Sequence, residues 1–193
     1  IVCLFQFLLY IYMKTALLIC DIQKKTIKNL YDKDKVISNI NKFLYLKDYL
    51  PLISKTIKSE FIPEKLGKTD SSLKLKDIDY FYEKNSYSML NDELYFYLRK
   101  NDISNLILTG MEIQWCINNS TKDFTKNGFI TYIPTDCVGN SLSMEDNKYN
   151  FEHLKNNGAK LTTSDSLICN MLDNSNELAS KKYLELLKNN KKI

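Results

Sequence analysis

One histidine and one arginine among 193 residues set the first limits on this chain's chemistry. With His153 alone, and no two cysteines within a few residues of each other, a Cys/His metal cluster has no foundation, so no metal is expected. His153 stands in a Glu-His-Leu stretch of an expected surface helix and reads as structural or solvated. Arg99 is the one arginine, and the lysines are scattered beside Asp and Glu rather than clustered. A formal charge of +4 spread in this way describes solvated faces and argues against nucleic acid as a partner. Only five glycines are present, and neither GxGxxG nor GxxxxGK[ST] occurs, so nucleotide cofactors lose their usual cradle and no cofactor is expected. The five cysteines, Cys3, Cys20, Cys116, Cys137 and Cys169, are odd in number and contain no CxxC pair. That pattern fits a reducing, cytoplasmic compartment better than a disulfide framework.

Long apolar runs are also missing. IVCLFQFLLYIY, residues 1–12, is nearly all apolar but shorter than the roughly 20 residues that span a bilayer. It has no basic residue before it and no Ala-x-Ala-like site after it, so a secretory signal is not the expected reading, and no membrane is expected. Met13 is followed at once by a strand pattern. Residues 1–12 are therefore read as an apolar extension of uncertain status, with a membrane-associating or targeting stub as the competing reading, and residues 13–193 as one domain.

What is present is enough for a core. The chain is 44% hydrophobic and 12% aromatic, which opposes disorder. A domain of this size buries roughly 70% of the surface that its unfolded form exposes.

TALLIC, residues 15–20, is continuously apolar and ends on Asp21, the pattern of a central parallel strand whose carboxyl end delivers a polar group to a crevice. Val36, Ile37, Ile40, Phe43, Leu44 and Leu46 recur at helical spacing over 35–49. LPLIS reads as a short second strand, and the polar stretch 55–79 as an extended loop long enough to be an active-site lid. A third strand near 80–83 leads into Lys84, and a helix is expected over 88–100. ISNLILTG forms a fourth strand, followed by a helix over 114–127. FITYIPTD and AKLTT supply strands five and six, separated by a helix over 144–157, and the tail 164–188 is helical by pattern. Alternating strands and helices predict an α/β fold: a three-layer α/β/α sandwich with a six-stranded, mostly parallel sheet of Rossmann-like type. Ligands in such folds sit outside the carboxyl ends of the strands.

Asp21, Lys84 and Cys116 all fall at or just past such ends. A cysteine on the first turn of a helix faces its positive end, which favours thiolate, and a nearby ammonium adds to this. A carboxylate in the same pocket can take and return the proton. Each residue also has an ordinary explanation: Asp21 as a helix N-cap, Lys84 as one of many lysines, Cys116 as a small buried hydrophobe.

GMEIQWCINNSTKDFTKNGF, residues 110–129, resembles the nucleophile motif of isochorismatase-like hydrolases, in the Gly-Ile-Glu-x-Gln-x-Cys form of the eukaryotic isochorismatase domain-containing proteins. CDIQKK is similar to that family's first-strand motif, with Asp21 and Gln23. KNSYSML is similar to the segment around the family lysine, with Tyr87 and Ser88 after Lys84. SEFIPEKLGKT resembles a family loop at Glu60, Pro63, Leu66 and Gly67. The resemblance implies a triad in which Asp21 is general base for Cys116 and Lys84 holds both. It also implies a non-proline cis peptide between Met111 and Glu112, and an oxyanion hole made by the amides of Glu112 and Cys116. Gln23, Glu60, Tyr87, Ser88 and Gln114 become pocket candidates.

Departures narrow this. The loop after the second strand lacks the histidines of a nicotinamidase metal site, which argues against zinc and that activity. Trp115, beside the nucleophile, either narrows the pocket or packs on the next helix, with packing the favoured expectation. The family implies a small-molecule substrate and a homo-oligomer. The function expected is hydrolysis of a small amide or related carbonyl compound through a thioester; the alternative is a catalytically weak or inactive binding module on the same fold.

Overall fold

A computed structural model describes residues 14–141, 145–173 and 176–190. The N-terminal stub and the expected helix start at Met144 lie outside these described residues.

The first strand, β1 (Lys14–Cys20), is buried from Thr15 onward on both faces, which is why its sequence runs apolar without alternation. Leu17, Leu18 and Ile19 are each essentially without solvent contact, and each such side chain contributes about 1.5–3 kcal/mol by leaving water. In chain order there follow α1 (Lys33–Leu46), β2 (Ile53–Phe61), the single turn α2 (Pro63–Leu66), β3 (Tyr80–Lys84), α3 (Asp92–Lys100) and β4 (Ile103–Met111). Then come α4 (Asn118–Lys126), β5 (Ile130–Pro134), β6 (Val138–Gly139), α5 (Asn147–Asn156), β7 (Lys160–Thr162), α6 (Ser164–Leu172) and α7 (Glu177–Asn190). The strands lie in the order β3-β2-β1-β4-β5-β7, with every pair parallel, and β6 adds two residues beside the end of β4. The expected six strands form that path, and β6 is a seventh too short to show as a periodic pattern.

Leu17, Ile19 and Ile107 turn to one side of the sheet, where α1, α6 and α7 supply Ile40, Phe43, Ile168 and Tyr183. Ala16, Leu18, Leu106 and Leu108 turn to the other, against Leu94 and Leu98 of α3, Ile117 and Phe124 at α4, and Leu154 of α5. The three-layer α/β/α sandwich is therefore present. Among the described residues no helix is long and apolar enough to cross a membrane.

The tail expected to be helical over 164–188 is two helices, α6 and α7, and three boundaries nearer the strand ends also differ from the sequence expectations. The second strand runs to Phe61 instead of ending at Ser54, so part of the supposed loop is sheet. Its concealed polar residues explain this: Ser59 and Glu60 are buried, which breaks the apolar signature. The helix expected from Ser88 starts at Asp92, because Asn91 in extended conformation caps it by accepting from the Leu94 amide at 2.7 Å. The helix expected from Gln114 starts as a π turn, Ile113–Ile117, before α4. The carbonyls of Cys116 and Ile117 each also accept a side-chain hydroxyl, from Ser120 at 2.5 Å and Thr121 at 2.7 Å.

Candidate active site

Strand order reverses between β1 and β4: from β1 the chain builds outward through β2 and β3, then crosses to β4 on the other side. The crevice at that switch point is where the fold exposes strand ends to a ligand. Asp21 leaves β1 with φ +53° and Cys116 sits in the π turn after β4, so both fall at the reversal. Lys84 ends β3, two strands from β1, roughly 10 Å away at the usual strand spacing. Its long side chain closes the gap.

The Lys84 Nζ lies 2.7 Å from Asp21 Oδ2 and 3.5 Å from Cys116 Sγ. Its other donors reach the carbonyls of Ser86 at 3.0 Å and Tyr87 at 3.2 Å, and it stands 4.8 Å above the Phe61 ring. The second oxygen of Asp21 accepts from the Ser59 hydroxyl at 2.7 Å. The Cys20 thiol lies 3.4 Å from Asp21 Oδ2. All three residues are buried, at 3%, 7% and 5% exposure for Asp21, Lys84 and Cys116. Burial pulls the Lys84 pKa down, but the charges of Cys20, Asp21 and Cys116 outweigh it and hold the ammonium above its ordinary value. Burial raises the Cys20 thiol well above the ordinary range, and a hydrogen bond with Cys116 and the Asp21 charge push the same way.

A cavity of about 380 Å³ opens onto this group. Asp21 and Cys116 form its floor, and Met111 and Glu112, joined by a cis peptide bond as expected, lie beside them. The Glu112 carboxylate is held by the Ser141 amide and hydroxyl at 2.8 and 2.7 Å. Lys25, Thr26 and Asn29 form a polar wall, and Phe61, Leu66, Tyr87 and Trp115 an apolar one. Trp115 lines the cavity, the reading set against packing on the next helix. It is 44% exposed, and its ring lies 6.4 Å from Tyr87, which in turn stacks 5.6 Å from Phe61.

Of the five pocket candidates only Tyr87 is among the residues that line the cavity. Gln23 is fully buried and clamps the segment after β2, accepting from the Phe61 amide and donating to the carbonyls of Phe61 and Gly67. Glu60 accepts from the amide and hydroxyl of Thr69 and from Lys58. Burial opposes ionisation of Glu60, but these bonds outweigh it and hold its carboxyl below the usual range. Ser88 accepts from the Leu90 amide, and Gln114 donates weakly to Glu112 at 3.4 Å. Gln23 and Glu60 thus hold the loop, and Leu66 is what that loop brings to the cavity. Ser59, Cys20 and the polar wall were not singled out from the sequence; Ser59 is one of many serines, and its register opposite Cys20 appears only in the paired strands.

Cys20, Asp21 and Cys116 each place a sulfur or oxygen within 4.8 Å of the others, a donor set suited to a soft cation. The Lys84 ammonium already lies against two of those three atoms.

The isochorismatase domain model matches residues 58–166, more than half of the chain. Isochorismatase family protein 2A of Dictyostelium discoideum is 30% identical over 182 residues, covering 90% of both chains. The chain belongs to the isochorismatase family. A solved structure named as MAR1 ribonuclease from Caenorhabditis elegans is similar with a TM-score of 0.80 and 27% identity, covering 90% of this chain and 89% of that one. A cysteine hydrolase from Pseudomonas syringae pv. phaseolicola 1448A shares the fold with a TM-score of 0.74 at 13% identity, covering 83% and 93%. Membership makes the chain a member of a hydrolase family, and the eukaryotic relatives agree with the resemblance read from residues 110–129.

Proposed function

We propose that this chain is a cysteine hydrolase that cleaves a small amide or related carbonyl compound through a thioester on Cys116. The observation that carries this reading is the Lys84 ammonium in contact with both Asp21 and Cys116 at the floor of a cavity of about 380 Å³. Asp21 accepts the thiol proton and Lys84 stabilises the two anionic partners. The Cys116 sulfur attacks the substrate carbonyl, and the developing oxyanion is received by the Glu112 and Cys116 amides. Asp21 returns the proton to the leaving amine, and water then hydrolyses the thioester with Asp21 again taking a proton. Cavity volume restricts the substrate to a small molecule, and the facing rings of Phe61, Tyr87 and Trp115 favour one with a flat or apolar part.

Iodoacetamide labelling of the folded protein over a pH series, with site assignment by mass spectrometry, tests the nucleophile. Cys116 should label ahead of Cys20, Cys137 and Cys169, and Asp21→Ala and Lys84→Ala should each change that behaviour. An amide panel then seeks turnover that Cys116→Ala abolishes, together with an acyl adduct on Cys116. If Cys116 reacts no faster than the other cysteines, the binding-module reading replaces this one.

A further inference from the structure

The triad leaves one chemically capable group beside it unused. Cys20 is fully buried at the end of β1, and its sulfur lies within 4.8 Å of Cys116 Sγ and 3.4 Å from Asp21 Oδ2. Hydrolysis as proposed needs one thiol, and a small hydrophobe would fill this position in the core. Among the described residues Cys137 and Cys169 are not in this group: Cys137 lies 3.9 Å from its neighbour Asp136 in the core on the α1 side of the sheet, and Cys169 is exposed on α6.

We propose that Cys20 is the resolving thiol of a hydroperoxide-modified Cys116, so that oxidation of the nucleophile ends in a reversible Cys20–Cys116 disulfide. The inference rests on Cys116 being the reactive thiolate. In the first step that thiolate attacks one oxygen of hydrogen peroxide. An S–O bond forms, the O–O bond breaks, and hydroxide leaves, so sulfur is oxidised to a sulfenic acid and peroxide is reduced. In the second step the Cys20 thiol gives its proton to the Asp21 carboxylate and its sulfur attacks the Cys116 sulfur. The S–S bond forms as the S–O bond breaks, and the departing hydroxide takes the proton from Asp21 as water.

The placement answers the main objection to a buried resolving thiol. Burial keeps Cys20 protonated and so a poor nucleophile by itself. The one carboxylate at the triad lies against that thiol, in the position where its proton must go. The cavity admits peroxide to Cys116, whereas Cys20 has no solvent contact, so the order of events is fixed: Cys116 is oxidised and Cys20 resolves. A sulfenic acid left in place would continue to the irreversible sulfinic acid.

The test treats the full chain with hydrogen peroxide, blocks free thiols, and digests it without reduction for mass spectrometry. A linked Cys20–Cys116 peptide is expected, with loss of iodoacetamide labelling at Cys116 that dithiothreitol restores. Cys20→Ser should instead accumulate sulfinic acid at Cys116, and Cys20→Ala serves the same purpose should serine disturb the core. Sulfinic acid forming equally fast in wild type and both variants, or Cys116 linking to Cys137, Cys169 or a second chain, overturns the proposal. Selective alkylation of untreated Cys116 is measured alongside. Its presence with no Cys20 linkage refutes the disulfide alone, and its absence refutes the nucleophile reading on which it rests.

Discussion

Replacing Lys84 by methionine removes the ammonium while retaining most of the side-chain volume over Phe61, so its cost isolates the charge. Asp21 and Lys84 are paired at 2.7 Å with side chains 5% and 3% exposed, and breaking a pair this deep strands an uncompensated charge at about 3–5 kcal/mol. The lower end applies here. Asp21 keeps the Ser59 hydroxyl at 2.7 Å and the Cys20 thiol, and the Ser86 and Tyr87 carbonyls that lose a donor belong to exposed residues that water can serve. A loss of about 3 kcal/mol corresponds to a fall in Tm of roughly 6–12 °C for a chain of this length. Urea denaturation of wild type, Lys84→Met, Asp21→Asn and the double variant measures it, with an unchanged m-value confirming a stability effect. The double variant should be no less stable than Lys84→Met, because neutralising Asp21 removes the stranded charge. A Lys84→Met loss below about 1 kcal/mol, or strictly additive losses, would refute the reasoning that this pair is buried and mutually dependent.

Three further outcomes follow from other parts of the site. Gly110→Ala should cost about 4 kcal/mol or more, or yield no folded protein, because an added Cβ would lie 2.0 Å from the Cys20 carbonyl oxygen and φ is +117°; circular dichroism and urea titration decide this. Ile62 adopts φ +42°, ψ +62°, a left-handed conformation unfavourable for a β-branched residue, so Ile62→Asn should stabilise by about 0.5–1 kcal/mol in thermal unfolding. Glu60 has its folded pKa lowered, so its stabilising effect is fully present above the ordinary carboxylate value of about 4.3 and is lost as pH falls through the lower folded value. Glu60→Gln should therefore flatten the acid limb of a stability–pH curve, and an unaltered limb would show that Glu60 contributes nothing to it.

Where one physical signal dominated, the fold was legible in the chain. TALLIC is buried on both faces, so hydrophobic continuity alone located β1. In β2 the signal is divided: Ser59 and Glu60 are buried because one hydroxyl supports Asp21 and one carboxylate holds Thr69, and buried polar residues resemble loop in a linear reading. Asp21, Lys84 and Cys116 stood out by position at strand ends and by the family motifs, and the fold brings all three together. Trp115 lies in a π turn that the linear pattern reads as the start of an α-helix, and it lines the cavity. Lys25, Thr26 and Asn29 reach the cavity only because the chain winds into a short 3₁₀ turn, Ile27–Asn29, after Gln23, and no periodicity announces a turn of that length.

The role of Gln23 connects these local details to the triad. Lys84 must reach across β2 to meet Asp21, so its position depends on how the ends of β2 and β3 are held against β1. Phe61, the last residue of β2, pairs with Lys84 in the sheet and also lies beneath its ammonium. Gln23 takes hold of that same residue, its amide oxygen accepting from the Phe61 amide at 2.9 Å and its nitrogen donating to the Phe61 carbonyl at 3.2 Å. A side chain two positions after Asp21 thereby ties the end of β2 to the segment that carries Asp21. The Asp-x-Gln spacing in CDIQKK thus has a mechanical reading: the aspartate enters the site while the glutamine fixes the strand over which the lysine must pass.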